Sequence, residues 1–403
     1  MRICLVSPGL DEGNRRLQPW CYLFQLTHAL LQDGHSVSLI SDGGRSRPSN
    51  GTVGGLPVIR VGTLRGQHWC RNSGALRAVA EQGPDAVLWH LGLTSFVHLG
   101  SLRYLTCRSV GVFTSPIYRP GELLRLGIFR LLRGYRLSAA HLAGLVIPPE
   151  RMRRALDRGE IQKLVVECET THSRLVERGI PAERIAILRP GIDGIWLRAA
   201  PSPAERDRKR QELGLSRDDF VVGFFGPPAV LRGLPTLLRA LALLQSFEPT
   251  ISGLVLSRQR EGEVTADALA VGRLVRQLGI GHRARLVSGL LAQDELRHAV
   301  AACDAIALPF EVVPSDVPLS VLEAMAMGLP LITTDVACLP ELVPDGAGLR
   351  IPPARPDLLA EAIGRLAKDV ALRKRLGAAA QQRATRWQWS RRDGPKWTSF
   401  LEG

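Results

Sequence analysis

The chain has 403 residues and 52 Lys and Arg against 38 Asp and Glu, a formal net charge of +14 in which only five cations are lysine. An apolar content of 45% excludes a disordered chain, and no window approaches the roughly 18 consecutive apolar residues of a spanning helix. Residues 1–7 lack the basic-then-apolar plan of a signal peptide.

Short, apolar, β-branched runs alternate with helical patterns along the chain. Residues 2–7 predict a strand ending at Pro8-Gly9. Residues 19–33 predict a helix with Leu23, Leu26, Leu30 and Leu31 at core spacing, stopped by Gly34. Strands follow at 37–40, 58–61, 86–89, 110–114, 144–147, 163–166 and 185–187. These runs are too apolar to face water on one side, so they predict a parallel sheet covered by helices. Core-poor, charged sequence at 197–217 marks a break. The pattern then restarts with strands at 220–225, 253–256, 284–287, 305–308 and 330–333. Helices are expected at 234–244, 266–278, 293–303, 319–327 and 356 to about 376. The expected fold is α/β, with two doubly wound Rossmann-like domains, 1–200 and 201–384, facing across a cleft where ligands bind. The tail 385–403 holds Trp387, Trp389, Trp397 and Phe400, and is expected to pack on the body by crossing back to the first domain.

Seven cysteines (4, 21, 70, 107, 168, 303 and 338) have no CxxC spacing and an odd total. They read as reduced, buried thiols of a cytoplasmic protein, not as a disulfide framework or a zinc site. No Asp-x-Asp falls at a strand end, so neither a metal nor a cofactor is expected. The loop Ser7-Pro8-Gly9-Leu10 is not a dinucleotide fingerprint. Its position at a carboxyl strand end makes Gly9 a candidate to line the cleft, and Arg15 and Arg16 beside it either meet phosphate or are solvated.

The second half carries sharper signals. Gly223-Phe224-Phe225-Gly226-Pro227-Pro228 leads to Arg232 and then a helix. A guanidinium at a helix head beside a strand end suits a diphosphate, because a planar fork of donors adds to the partial positive charge of the helix. In Pro318-Leu319-Ser320-Val321-Leu322-Glu323-Ala324-Met325-Ala326-Met327-Gly328, proline opens a helix and glycine closes it. Glu323 stands one turn inside this apolar helix. A carboxylate there needs bonded partners, and a ribose diol would supply two; the alternative is a solvent-facing or capping glutamate. Glu341, in the turn after 332–334, either caps a helix or touches substrate.

With these residues the chain resembles a retaining glycosyltransferase of the GT-B class, family GT4 (glycosyl transferases group 1). The likeness covers nearly the whole sequence. Residues 28–37 are similar to the family's first helix and second strand. Pro84-Asp85-Ala86-Val87-Leu88-Trp89-His90 resembles a further strand, residues 185–193 resemble the end of the first domain, and 320–330 match its Glu-Ala-rich helix closely. The resemblance implies a nucleotide-sugar donor and a sugar or lipid-linked acceptor, as in cell-envelope, glycolipid or polysaccharide synthesis. It implies that Glu323, the second acid of the family's E-x7-E motif, binds donor ribose, and that Arg232 stands where a diphosphate-holding Lys is usual. Leu319 and Ser320 would lie near the phosphates, Gly226 in the donor loop, and His90 and Ser115 on the acceptor side. Three departures follow. The first acid of E-x7-E is Ser315, with Asp316 and Glu311 the nearest acids and candidate substitutes. The Arg usual after the second-domain glycine is Pro227. The His usual after the fourth strand is Ser115. A sugar-nucleotide epimerase or an inactive sugar-nucleotide or glycan-binding protein are the alternative readings.

In a retaining reaction of this class the acceptor enters the face that the diphosphate leaves, and the need is to orient both and stabilise the departing phosphate. Arg232 and Ser320 are the expected carriers. Residues 101–160 hold 11 arginines and four acids, a local +7. Within them, at helical spacing, Arg125, Arg130, Arg133 and Arg136 fall opposite Leu124, Ile128, Leu131 and Tyr135. A basic amphipathic helix over 122–137 either lies on an anionic membrane, at its cytoplasmic face, or packs on the sheet. With no recognition module or aromatic platform, nucleic acid is not expected as a partner.

Overall fold

The computed structural model describes residues 1–42, 51–62, 73–97, 99–125, 127, 149–245, 247–248, 250–258, 265–388 and 393–402. Among the described residues, eight strands build the first sheet: β1 (Arg2–Val6), β2 (Ser36–Asp42), β3 (Gly51–Val53), β4 (Leu56–Val61), β5 (Ala86–Leu91), β6 (Arg108–Phe113), β7 (Lys163–Val166) and β8 (Ile185–Ile187). Their order is β3-β4-β2-β1-β5-β6-β7-β8, parallel except for β3 against β4. Six parallel strands build the second: β9 (Phe220–Gly226), β10 (Ile251–Ser257), β11 (Ala284–Ser288), β12 (Ala305–Ala307), β13 (Leu331–Thr334) and β14 (Leu349–Ile351), in the order β11-β10-β9-β12-β13-β14.

The period-2 rule is visible in β1: Ile3 and Leu5 join the core on one face of the sheet, Cys4 and Val6 the core on the other. The helix Trp20–Gln32 buries Leu23, Leu26 and Leu30 on the first of these faces, while Leu31 is exposed. Strands β9 and β10 are buried along their whole length, as a sheet covered on both sides requires.

The structure refines three expectations. The charged stretch after residue 200 is more than a break in the pattern. It contains the helix Pro203–Glu212, opened by a Ser202–Glu205 capping box. Its Arg206 and Arg210 both pair with Asp304 at 2.6 Å, so these charges anchor the helix to the second half. The long helix expected from 356 is two helices, Pro356–Lys368 and Val370–Ala384. Asp369 lies between them in extended conformation and accepts from the Leu372 amide at 2.8 Å. Strands β3 and β14, three residues each, escape the periodicity reading. The strand expected at 144–147 lies outside the described residues, as does the basic segment 122–137 apart from 122–125 and 127.

The halves are tied together at several places. The loop after β12 enters the first half, where the Asp316 amide donates to Thr114 O at 2.8 Å and the Val313 amide to Tyr118 Oη at 2.7 Å. The chain then returns from the second half. Ile192 N donates to Trp387 O at 2.8 Å, and the helix Asp393–Glu402 lies against Trp20–Gln32. Trp397 and Leu401 on that helix are part of the first half's core.

Candidate active site

Strand β9 ends at Gly226, whose φ of +139° suits glycine, and a Cβ there would stand 3.2 Å from Arg232 Nη1. A single turn, Val230–Arg232, then delivers Arg232 to the head of the helix Leu234–Leu244. Gly233 makes this possible: its φ is +83° and a Cβ would fall 1.8 Å from Pro309 O, on the neighbouring loop. The helix Leu319–Ala326 begins after Pro318 with no side-chain cap. Its first amides are the orphan donors that every helix N-terminus carries.

These elements line one cleft between the halves. A cavity of about 210 Å³ is walled by Arg15, Arg16 and His28 of the first half and by Arg258, Leu291 and Glu323 of the second. An adjoining cavity of about 200 Å³ is walled by Trp20, Gly226, Arg232, Ser315 and Ser320. Arg16, Arg258 and Leu319 line both. Burial, and then the charge of Arg258, lower Arg232 to about 10. Exclusion of water pushes Glu323 up to about 7, an effect that Arg258 opposes and Asp193 reinforces. Among the described residues no carboxylate pairs with Arg232 or Arg258.

The cleft thus brings together Gly226, Arg232, Ser315, Leu319, Ser320, Glu323, Arg15 and Arg16. Arg15 is also held by Glu12 at 3.2 Å. Asp316 and Glu311, the candidate substitutes for the missing acid, do not line either cavity. Asp316 is fully buried against the first half. It accepts from the Glu167 amide at 2.9 Å, from Cys168 Sγ at 3.3 Å and from the Thr171 hydroxyl. Glu311 is buried under the helix Leu234–Leu244 and accepts from Thr236 Oγ1 at 3.2 Å. Gly9 lies beneath the Trp20 ring and donates to Asp42, outside both cavities. His90 sits at the carboxyl end of β5, bonded to Ser7 Oγ at 2.8 Å and Thr114 Oγ1 at 3.0 Å, and burial lowers it to about 4. It and Ser115, in the loop after β6, likewise do not wall these cavities. Glu341 caps a helix, but one in the other half: it accepts from the Glu169 and Thr170 amides at 3.1 and 2.9 Å. Among the described residues no three His, Cys, Asp or Glu side chains converge as metal ligands. Arg258, which follows the last residue of β10, was not anticipated. The only local signal was a cation directly after an apolar strand, a different pattern from Arg232, which comes six residues past Gly226 at the head of a helix.

Two parallel Rossmann-like sheets facing across such a cleft define the GT-B class. Sucrose-phosphate synthase from Thermosynechococcus elongatus superposes with a TM-score of 0.76 at 20% identity, over 100% of this chain and 98% of that one. HepE of Anabaena, solved in complex with UDP-glucose, gives 0.73 at 18% identity, over 100% and 99%. The family model for glycosyl transferases group 1 matches residues 219–369. The D-inositol 3-phosphate glycosyltransferase of Actinosynnema mirum is 32% identical over 347 residues, 81% of this chain and 75% of that protein. The protein of the same name from Stackebrandtia nassauensis is 27% identical over 96% of this chain and 86% of its own length. The chain belongs to the glycosyl transferases group 1 family, and it is a glycosyltransferase.

Proposed function

We propose that the chain transfers a sugar from a nucleotide-diphosphate donor to an acceptor hydroxyl with retention of configuration. The observation that carries this reading is the joint presence of Glu323 and Arg232 on the wall of one cleft. Glu323 accepts two hydroxyls of the donor ribose. Arg232 and the amides at Leu319 and Ser320 hold the diphosphate and stabilise it as it departs, so no protein nucleophile is needed. Asp316 and Glu311 are engaged elsewhere, and Ser315 meets the sugar with a hydroxyl where the family uses a carboxylate. The first half supplies the acceptor side through Arg15 and Arg16, and two relatives are named for a phosphorylated acceptor. No metal takes part. The test is calorimetric titration with UDP and with GDP: one binds, and Glu323→Ala weakens it at least tenfold. Failure of both to bind at millimolar concentration overturns the reading.

We further propose that residues 122–137 hold the enzyme on an anionic membrane from the cytoplasmic side, which suits a lipid-linked acceptor. The local +7 of residues 101–160 supports this, and no helix among the described residues is long and apolar enough to cross a membrane. Co-sedimentation with phosphatidylserine vesicles is expected at low salt and is lost at high salt. No sedimentation at low salt sinks the idea.

A further inference from the structure

The cleft holds a second guanidinium that the family pattern does not provide for. Arg258 follows Ser257 at the carboxyl end of β10, the strand beside β9. Ser257 pairs with Gly226 in the sheet register, and the Arg258 amide donates to Gly226 O at 3.0 Å. The backbone therefore anchors Arg258 beside the glycine of the donor loop. Its side chain lines both cavities, between Glu323 in one and Arg232 in the other, and its charge acts on each of those groups. Its one side-chain bond among the described residues is a long 3.4 Å contact to Arg16 O.

Two guanidinium groups on one partly buried wall repel each other and lose hydration, and both costs are relieved by a dianion between them. The residue usual in the family for a second phosphate contact is absent, because position 227 is proline. Proline has no charge to offer and no amide to donate.

We infer that Arg258 is the second diphosphate-binding cation of this enzyme. The function normally placed after the glycine of β9 is supplied here from the end of β10. Arg258 bonds the phosphate nearer the ribose, and Arg232 the one nearer the sugar. This rests on the donor-site reading above and adds a residue to it.

The experiment titrates the wild type and variants with UDP, GDP and the corresponding nucleosides. The diphosphate that binds the wild type is expected to weaken 10- to 100-fold with Arg258→Ala and less with Arg258→Lys. Nucleoside affinity is expected to change less than twofold in both variants. The double variant Arg258→Ala/Pro227→Arg recovers at least part of the lost diphosphate affinity, a gain that a merely structural role for Arg258 would not produce. Equal diphosphate affinity in wild type and Arg258→Ala overturns the inference and leaves the donor site standing. An equal loss of nucleoside and diphosphate affinity also overturns it, because the residue then shapes the pocket and does not bind phosphate. If no diphosphate binds the wild type, the donor reading and this inference fall together.

Discussion

Exclusion of water from the wall around Glu323 leaves its carboxyl near 7, so both protonation states are populated at neutral pH. Only the carboxylate accepts two ribose hydroxyls. Binding therefore draws the proton off, and affinity rises as pH increases through about 7 and levels above it. The terminal phosphate of the nucleotide ionises in a similar range, with the same sign. Glu323→Gln removes the first contribution alone. We expect the variant to bind more weakly than wild type at pH 8 and to show a shallower pH dependence between 6 and 8, read by calorimetry. Equal slopes would refute the assignment. His90 behaves differently: burial holds it to about 4, so it stays neutral through this range and adds nothing to the profile.

The strand–turn–helix from β9 to Leu244 is the element that aims Arg232, and it depends on Gly233. An alanine there would adopt φ near +83° and drive its methyl into Pro309 O. Gly233→Ala is expected to cost about 3 kcal/mol or more and to lower the thermal midpoint clearly, followed by circular dichroism. An unchanged midpoint would mean that the Pro309 loop moves aside freely. This element was legible in the sequence because its apolar strand, glycine, cation and helix pattern are all local. The helix Leu319–Ala326 was legible for the same reason, from its proline, its apolar run and its closing glycine. What escaped reading depends on distant partners. The charges of Pro203–Glu212 read only as a core-poor stretch until Asp304, about a hundred residues later, is seen to meet two of them. Asp316 and Glu311 are offered by the family resemblance as the acids nearest Ser315, yet one bonds a first-half helix and the other lies under a neighbouring one. No periodicity reports where a loop carboxylate points.

At the scale of the whole molecule, the halves meet through a buried pair of acids. Val317 N donates to Glu167 Oε2 at 3.0 Å, while Glu167 Oε1 has no partner. Burial and the neighbouring Asp316 carboxyl raise Glu167 well above the usual carboxylate range, which favours its protonated form. The sign follows from linkage. A carboxyl raised on folding stabilises the fold below its ordinary value near 4.3, and that contribution is lost as pH climbs through the raised one. Glu167→Gln keeps an acceptor for Val317 without the proton. Its thermal midpoint should fall less than that of wild type as pH rises above the ordinary carboxylate value, and parallel curves would argue against a raised Glu167 carboxyl.

The first half is also unfinished by itself. Two amides at the start of its helix Glu169–Glu177 are capped by Glu341 of the second half. Its core receives Trp397 and Leu401 from a segment more than 190 residues beyond the end of its last strand at Ile187. During synthesis, therefore, the portion that leaves the ribosome first completes its packing last. Residues 1–200 made alone would emerge with an uncapped helix and an open seam along Trp20–Gln32. The two sheets are separate in topology, but they are not modules that can be exchanged between chains.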